Sequence, residues 1–309
     1  MIAQSTLETI GSTPLVKLQK MAPSDSAEIY VKVESFNPTG SYKDRMALAM
    51  VEGAEERGDL RPGMTVVEYS GGSTGSALAF VCAVKGYRCK IVSSDAFAQE
   101  KLDTMRAFGA ELEIVPSDNG KITAELIKEM IRRTEVLDAD DRTFFTDQLN
   151  NRDIIRGFEK LGSEILQQID KPIDLFCGAV GTAGMLMGVS KVLRQSEDRT
   201  RIIALEPASS PFLSTGKKGA HRVEGIGLGF ELPLLDKNCY DEVRGIEEEE
   251  GRKTARRMAR DEGIFAGTSS GLNMAGALQL ARELGEGKTV VTVAVDSGLK
   301  YLAGNLYTG

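Results

Sequence analysis

Short apolar segments of strand length alternate with longer segments of helical period along most of this chain, and that alternation limits the fold more than any other feature. Met64 to Tyr69 reads as a buried strand, Ser76 to Tyr87 as an apolar helix and Cys89 to Ser94 as a second strand. Phe97 to Phe108 follows as an amphipathic helix, Glu111 to Val115 as a third strand, Lys121 to Glu135 as a helix and Thr143 to Thr146 as a short strand. The second half repeats the order: strand Ile173 to Val180, helix Met185 to Leu193 and strand Arg201 to Glu206. A charged helix, Glu247 to Asp261, then leads to helix Gly271 to Leu284 and the near-continuous apolar strand Thr289 to Val295. Strands apolar on both faces need cover on both. The pattern therefore predicts an α/β fold, with doubly wound parallel sheets lying between helices. Ligands in such folds bind where the chain leaves the carboxyl ends of strands.

A chain of 309 residues is long enough for two domains, each with a core of its own. No long linker, internal repeat or low-complexity tract divides it. The net charge of −7 gives no electrostatic support to a nucleic-acid role. No apolar run approaches the roughly 18 residues of a membrane span, and Met1-Ile2-Ala3-Gln4-Ser5 does not open a signal peptide. A cytoplasmic protein is the expectation. Cys82, Cys89, Cys177 and Cys239 have neither CxxC pairing nor metal-ligand spacing, so reduced thiols and no metal are expected. The single histidine, His221, leaves no room for a histidine triad. The acidic run Glu247 to Glu250 suits the positive start of a helix.

Three polar segments interrupt the pattern. Lys43 lies in Asn37-Pro38-Thr39-Gly40-Ser41-Tyr42-Lys43-Asp44-Arg45, after the alternating strand Glu28 to Glu34 and before an apolar helix from Met46 onward. Two small-residue loops follow, Ser70-Gly71-Gly72-Ser73-Thr74-Gly75 and Gly178-Ala179-Val180-Gly181-Thr182-Ala183-Gly184. One amine and two loops able to hold anions suit a cofactor that is both an aldehyde and a phosphate, which is pyridoxal 5'-phosphate. A lysine condenses with an aldehyde only as the neutral amine, so desolvation or a neighbouring cation such as Arg45 is required. Once the substrate amine replaces it, the freed Lys43 can serve as general base at the α-carbon.

Pro38-x-x-Ser41-x-Lys43-Asp44-Arg45 resembles the cofactor-lysine motif of the cysteine synthase and cystathionine β-synthase family, fold type II pyridoxal-phosphate enzymes. Leu7 to Val16 resembles that family's opening strand. Met105 to Glu111, Gly225 to Phe230 and Gly267 to Gly271 follow in the family's order. The resemblance implies two domains of tryptophan synthase β-like architecture. A larger cofactor-binding domain would take residues 1–40 and 148–309, and a smaller mobile domain 41–147, with the active site between them. It also implies a homodimer.

Residue by residue, the resemblance gives Lys43 the cofactor aldehyde and the turn Gly181, Thr182, Ala183, Gly184 and Met185 the phosphate. Ala183 replaces a family glycine there, and Met185 a threonine. Ser297 is expected at the pyridine nitrogen, in the order Asp296-Ser297-Gly298; an Asp296 carboxylate there would protonate the ring instead. Ser70, Gly71, Gly72, Thr74 and Gln148 are expected at the substrate carboxylate, Ser73 at the cofactor's 3′-oxygen, and Gly225 as a backbone wall. Gly71 stands where the family has a serine and Ser73 where it has an asparagine, so a larger pocket with altered substrate preference is expected.

The activity implied is β-replacement on serine, O-acetylserine or a related amino acid, by way of an α-aminoacrylate and with sulfide as the favoured nucleophile. This is a cysteine synthase-like transferase of amino-acid biosynthesis. One alternative is a β-eliminating lyase, such as a cysteine desulfhydrase or a serine/threonine dehydratase. Another, of a different class, is a ligand-sensing relative without catalysis, which the altered Ser70 to Gly75 loop allows. A dinucleotide-binding dehydrogenase is disfavoured because no GxGxxG follows the first strand. The family's synthase-partner complex, with a serine acetyltransferase-type partner, uses the carboxylate pocket that differs here.

Overall fold

A computed structural model of the chain describes residues 2–196 and 200–308. In chain order it contains β1 (Leu15–Lys17), β2 (Glu28–Val33), α1 (Lys43–Arg57), β3 (Thr65–Tyr69), α2 (Ser73–Lys85), β4 (Arg88–Ser94) and α3 (Gln99–Ala107). Next come β5 (Glu111–Val115), α4 (Ala124–Asp138), β6 (Thr143–Phe145), α5 (Asp153–Gln168), β7 (Leu175–Ala179), α6 (Gly184–Ser196) and β8 (Arg201–Pro207). The chain closes with α7 (Phe212–Thr215), β9 (Glu242–Ile246), α8 (Glu248–Arg257), α9 (Thr268–Leu284) and β10 (Thr289–Ala294).

Two compact units result. One comprises Met1–Ile10 and Lys43–Gly157, the other Gly11–Tyr42 and Phe158–Gly309. The smaller unit therefore differs at both ends from the expected 41–147. It takes in the first turn, Thr6–Thr9, which packs on α2. It also takes in the start of α5, where Gly157 lies so close to α1 that a Cβ there would meet the Arg45 carbonyl oxygen at 2.6 Å.

In the smaller unit four parallel strands run in the order β5-β4-β3-β6. Val92, Val115, Leu126 and Met130 form a core beneath α4, and α2 is buried along most of its length. The larger unit has six strands ordered β1-β2-β10-β7-β8-β9. All pairs are parallel except β1 with β2, which is antiparallel. Every residue of β7 and β10 is buried, as their apolar runs predict, and α9 supplies Leu272, Met274, Ala275 and Leu278 to the same core. Among the described residues no helix is long and apolar enough to cross a membrane.

One expectation needs correcting, and two elements had no sequence assignment. The opening strand is only Leu15–Lys17, because Thr6–Thr9 forms a 3₁₀ turn capped by Ser5, and Gly11 and Ser12 take positive φ. Helix α5 carries Ile154, Phe158, Leu161 and Ile165 at helical spacing, all four buried, a periodicity that marks the helix in the sequence. Strand β9 was not legible: in Glu-Val-Arg-Gly-Ile two of five residues are charged, which fits its place at a sheet edge.

Candidate active site

Polar segments leave the carboxyl ends of β3 and β6 in the smaller unit and of β7 and β10 in the larger. In the larger unit, Tyr42 N–H donates to the Val295 carbonyl at 3.0 Å and Ser297 N–H to the Gly40 carbonyl at 2.9 Å. Residues 40–42 thus run antiparallel beside the end of β10, with Ser41 opposite Asp296. Lys43, next in the chain, opens α1 itself, three residues before the expected helix start at Met46. Its side chain is 9% exposed, and Nζ lies 3.8 Å from Sδ of Met46.

At the end of β3, Ser70 Oγ accepts the N–H groups of Gly72 (3.2 Å) and Gly75 (3.0 Å), so this hydroxyl folds the loop on itself. Gly72 is the N-cap and α2 starts at Ser73, three residues before the expected Ser76. Ser73 and Thr74 therefore occupy the first turn, where amides point outward toward an anion. Thr74 Oγ1 donates to Gln148 Oε1 at 2.9 Å, and Gln148 Nε2 donates to the Tyr69 carbonyl at 3.3 Å. The structure thus joins Ser70, Gly72, Ser73, Thr74 and Gln148 in one cluster.

Gly71 behaves differently from expectation. A Cβ built on it would fall 2.2 Å from ring atoms of Phe97, the residue two places before α3. The volume lost by having glycine at position 71 is filled by an aromatic ring, so the substitution does not by itself enlarge the pocket.

In the larger unit the turn after β7 leads into α6 at Gly184. A Cβ at Gly181 would meet the Gly225 carbonyl oxygen at 2.3 Å, and Gly225 itself sits at φ +78°. Glycine is needed at both positions, one for space and one for its left-handed backbone. Ala183 adopts φ +69°, a conformation unfavourable for a residue with a Cβ. Thr182 is half-buried. The Met185 side chain points back at β7, its Cε 2.5 Å from a Cβ built on Gly178, so only its amide is available to a ligand. The turn offers main-chain N–H groups at a helix start and no acidic side chain, a donor set suited to phosphate.

His221 is engaged through both ring nitrogens. Val223 N–H donates to Nδ1 at 3.3 Å, and Nε2 lies 3.0 Å from the Gly227 carbonyl. The ring braces the segment around Gly225.

Asp296 and Ser297 divide as neighbours at a strand end should. Asp296 is buried and accepts from the Tyr301 hydroxyl at 2.8 Å; burial and this carboxylate push the Tyr301 hydroxyl well above its ordinary range. Ser297 is half-buried, and its Oγ accepts Leu299 N–H at 3.2 Å as a helix cap. Accepting there leaves the Ser297 O–H proton available to a ring nitrogen.

Sequence reasoning missed Phe97, Tyr301 and Glu68. Glu68 had a signal: it is a carboxylate inside the otherwise apolar strand Thr65–Tyr69, where a charge is seldom buried without a purpose.

The chain matches the family model described as "Pyridoxal-phosphate dependent enzyme" over residues 6–296. It is 42% identical over 303 residues to a cysteine synthase of Staphylococcus aureus (strain Mu50), covering 97% of this chain and 96% of that one. The crystal structure of O-ureido-L-serine synthase superposes with a TM-score of 0.93 at 38% identity, covering 100% of this chain and 96% of the other. A hydrogen sulfide-producing enzyme from Fusobacterium nucleatum gives 0.91 at 33% identity, covering 98% and 99%.

Proposed function

Because the chain belongs to the pyridoxal-phosphate-dependent enzyme family, in the branch that holds cysteine synthases, we propose that it replaces the β-substituent of an O-activated serine. The leading nucleophile is sulfide. The single observation that carries the reading is a lysine amine buried at the first residue of a helix, in a motif shared with that branch.

The residues present fit the cofactor. A phosphate needs an anion pocket without carboxylates, which the turn Gly181–Met185 supplies through amides at the start of α6. The close fit of Gly181 under Gly225 leaves room for main chain only, so the amides carry the contact. A pyridine nitrogen needs a polar partner, and the Ser297 hydroxyl has a proton to give. An aldehyde needs an uncharged amine, for which the burial of Lys43 is the right setting.

When bound, the cofactor supplies an electron sink that renders the substrate α-proton acidic and lets the β-substituent depart. The chain does the rest. Lys43 Nζ takes the α-proton and holds it as general base. The loop amides other than those of Gly72 and Gly75, with the second Nε2 proton of a Gln148 held by Thr74, hold the substrate carboxylate. Ser297 offers the ring nitrogen a neutral hydroxyl in place of a carboxylate, which limits ring protonation and disfavours transamination. We take a cytoplasmic homodimer as the working form, checked by light scattering on the purified protein.

The test uses the purified protein with O-acetylserine and sulfide. Cysteine formation, a visible absorbance band removed by borohydride, and loss of both in Lys43→Ala are expected. A colourless protein, or full activity in that variant, overturns the reading. The second reading, elimination from cysteine to sulfide and pyruvate, is favoured by the likeness to the sulfide-producing enzyme. Pyruvate from the amino acid alone, without cysteine from the pair, selects it.

A further inference from the structure

Glu68 is wholly buried near the carboxyl end of β3, and among the described residues its carboxylate accepts three hydrogen bonds. Its Oε2 accepts from Thr146 Oγ1 at 2.6 Å and from Gln148 N–H at 3.1 Å, and its Oε1 from Tyr69 N–H at 3.0 Å. The two donors to Oε2 flank Asp147, which sits at φ +44°, a left-handed conformation that costs a non-glycine residue energy. One carboxyl oxygen therefore holds both sides of a strained turn. The residue leaving that turn is Gln148, whose side chain is tied to Thr74 on α2 and to Tyr69.

We propose that Glu68 is a positioning residue for substrate binding: its carboxylate fixes Gln148, and through it Thr74, in the geometry that receives the substrate carboxylate. This rests on the function proposed above.

The ionised carboxylate makes all three bonds charge-assisted. Protonation removes that charge, roughly halves the strength of each bond and so loosens the turn. Burial pushes this carboxyl up to about 7. Asp147 acts on it in the same direction, while the Thr146, Gln148 and Tyr69 bonds oppose the rise. The other titratable neighbours, Cys89 on β4 and Tyr69, are both raised above their ordinary values and stay uncharged near neutral pH. With a value of about 7, Glu68 changes charge between pH 6 and 8.

The experiment compares the holoenzyme with Glu68→Gln and with the pair Thr146→Val and Thr146→Ser. Wild type is expected to show KM for the amino-acid substrate rising about tenfold as pH falls from 8 to 6, with kcat changing less than threefold. In Glu68→Gln, KM is expected to be raised at pH 8 and flat with pH. Thr146→Val should raise KM, and Thr146→Ser, which keeps the donor, should restore it. If Glu68→Gln does not fold, the threonine pair decides alone. A KM equal to wild type in Glu68→Gln, or an equal KM in the two threonine variants, overturns the proposal. Retention of the visible cofactor band in all variants separates this failure from failure of the cofactor assignment, which Lys43→Ala tests.

Discussion

The ring of Phe97 occupies the space in which a side chain at Gly71 would begin: Cδ1 and Cε1 lie 2.2 Å from a Cβ built on the glycine. Neither residue can be changed without regard to the other. Gly71→Ser must displace a half-buried ring, and overpacking of this kind costs about 1–3 kcal/mol. Phe97→Ala in the same chain should recover roughly 1–2 kcal/mol of that loss. Urea unfolding of the two single variants and the double variant measures the coupling. Additive losses would mean that the ring moves away freely.

Ala183 adopts φ +69°, in the left-handed region that favours glycine. The left-handed conformation costs a residue with a Cβ about 1–2 kcal/mol, and glycine returns roughly 0.4–1 kcal/mol of that through its freer unfolded chain. Ala183→Gly is therefore expected to stabilise the protein by about 0.5–1 kcal/mol. It should also tighten retention of the phosphate, since the turn reaches its binding shape without strain. Thermal unfolding and dialysis against cofactor-free buffer read the two effects; a less stable variant would show that Ala183 is not strained.

Much of this molecule was legible because parallel strands buried on both faces write themselves as apolar runs. Leu175–Ala179 and Thr289–Ala294 lie inside the runs assigned to them, and Glu111–Val115 coincides with its run. Boundaries failed where a polar loop turns directly into a helix. Lys43 and Ser73 are helix-opening residues that composition alone places in loops, because a buried helix start draws its caps from main chain and small residues. The motif residues were readable by likeness. Their supports were not: the contact of Phe97 with Gly71 spans 26 residues and the bond from Gln148 to Glu68 spans 80, and no periodicity encodes either.

Gly181 faces a carbonyl oxygen 2.3 Å from where a Cβ would be, and a main-chain atom cannot rotate aside. Gly181→Ala is expected to cost more than about 2 kcal/mol and to lose the visible cofactor band. Thr182→Ala, at a half-buried position, should keep the fold and lower cofactor affinity by less than tenfold. Equal behaviour of the two variants would remove the turn from the phosphate assignment.

Glu68 also sets a pH dependence of stability whose sign opposes that of its role in binding. Its folded value, about 7, lies above the ordinary 4.5 of a glutamate, and burial is the first cause. Between these values the folded chain holds a proton that the unfolded chain has released, so stability falls as pH rises from 4.5 to 7. A fully buried carboxyl shifted this far costs on the order of 3 kcal/mol once ionised. Other carboxyls do not mask the effect. Glu28, held down at about 2 by Lys17 and Lys171, gives up its stabilising share only below pH 4.5, as does Glu129 beside Arg132 and Arg133. The urea midpoint of the wild type is therefore expected to drop across pH 4.5 to 7, and Glu68→Gln to flatten that slope. The ionised form weakens the fold while holding Gln148 in place for substrate, so as pH rises through 7 the wild type should lose stability and gain substrate affinity together. A slope unchanged in Glu68→Gln would assign the titration to another group.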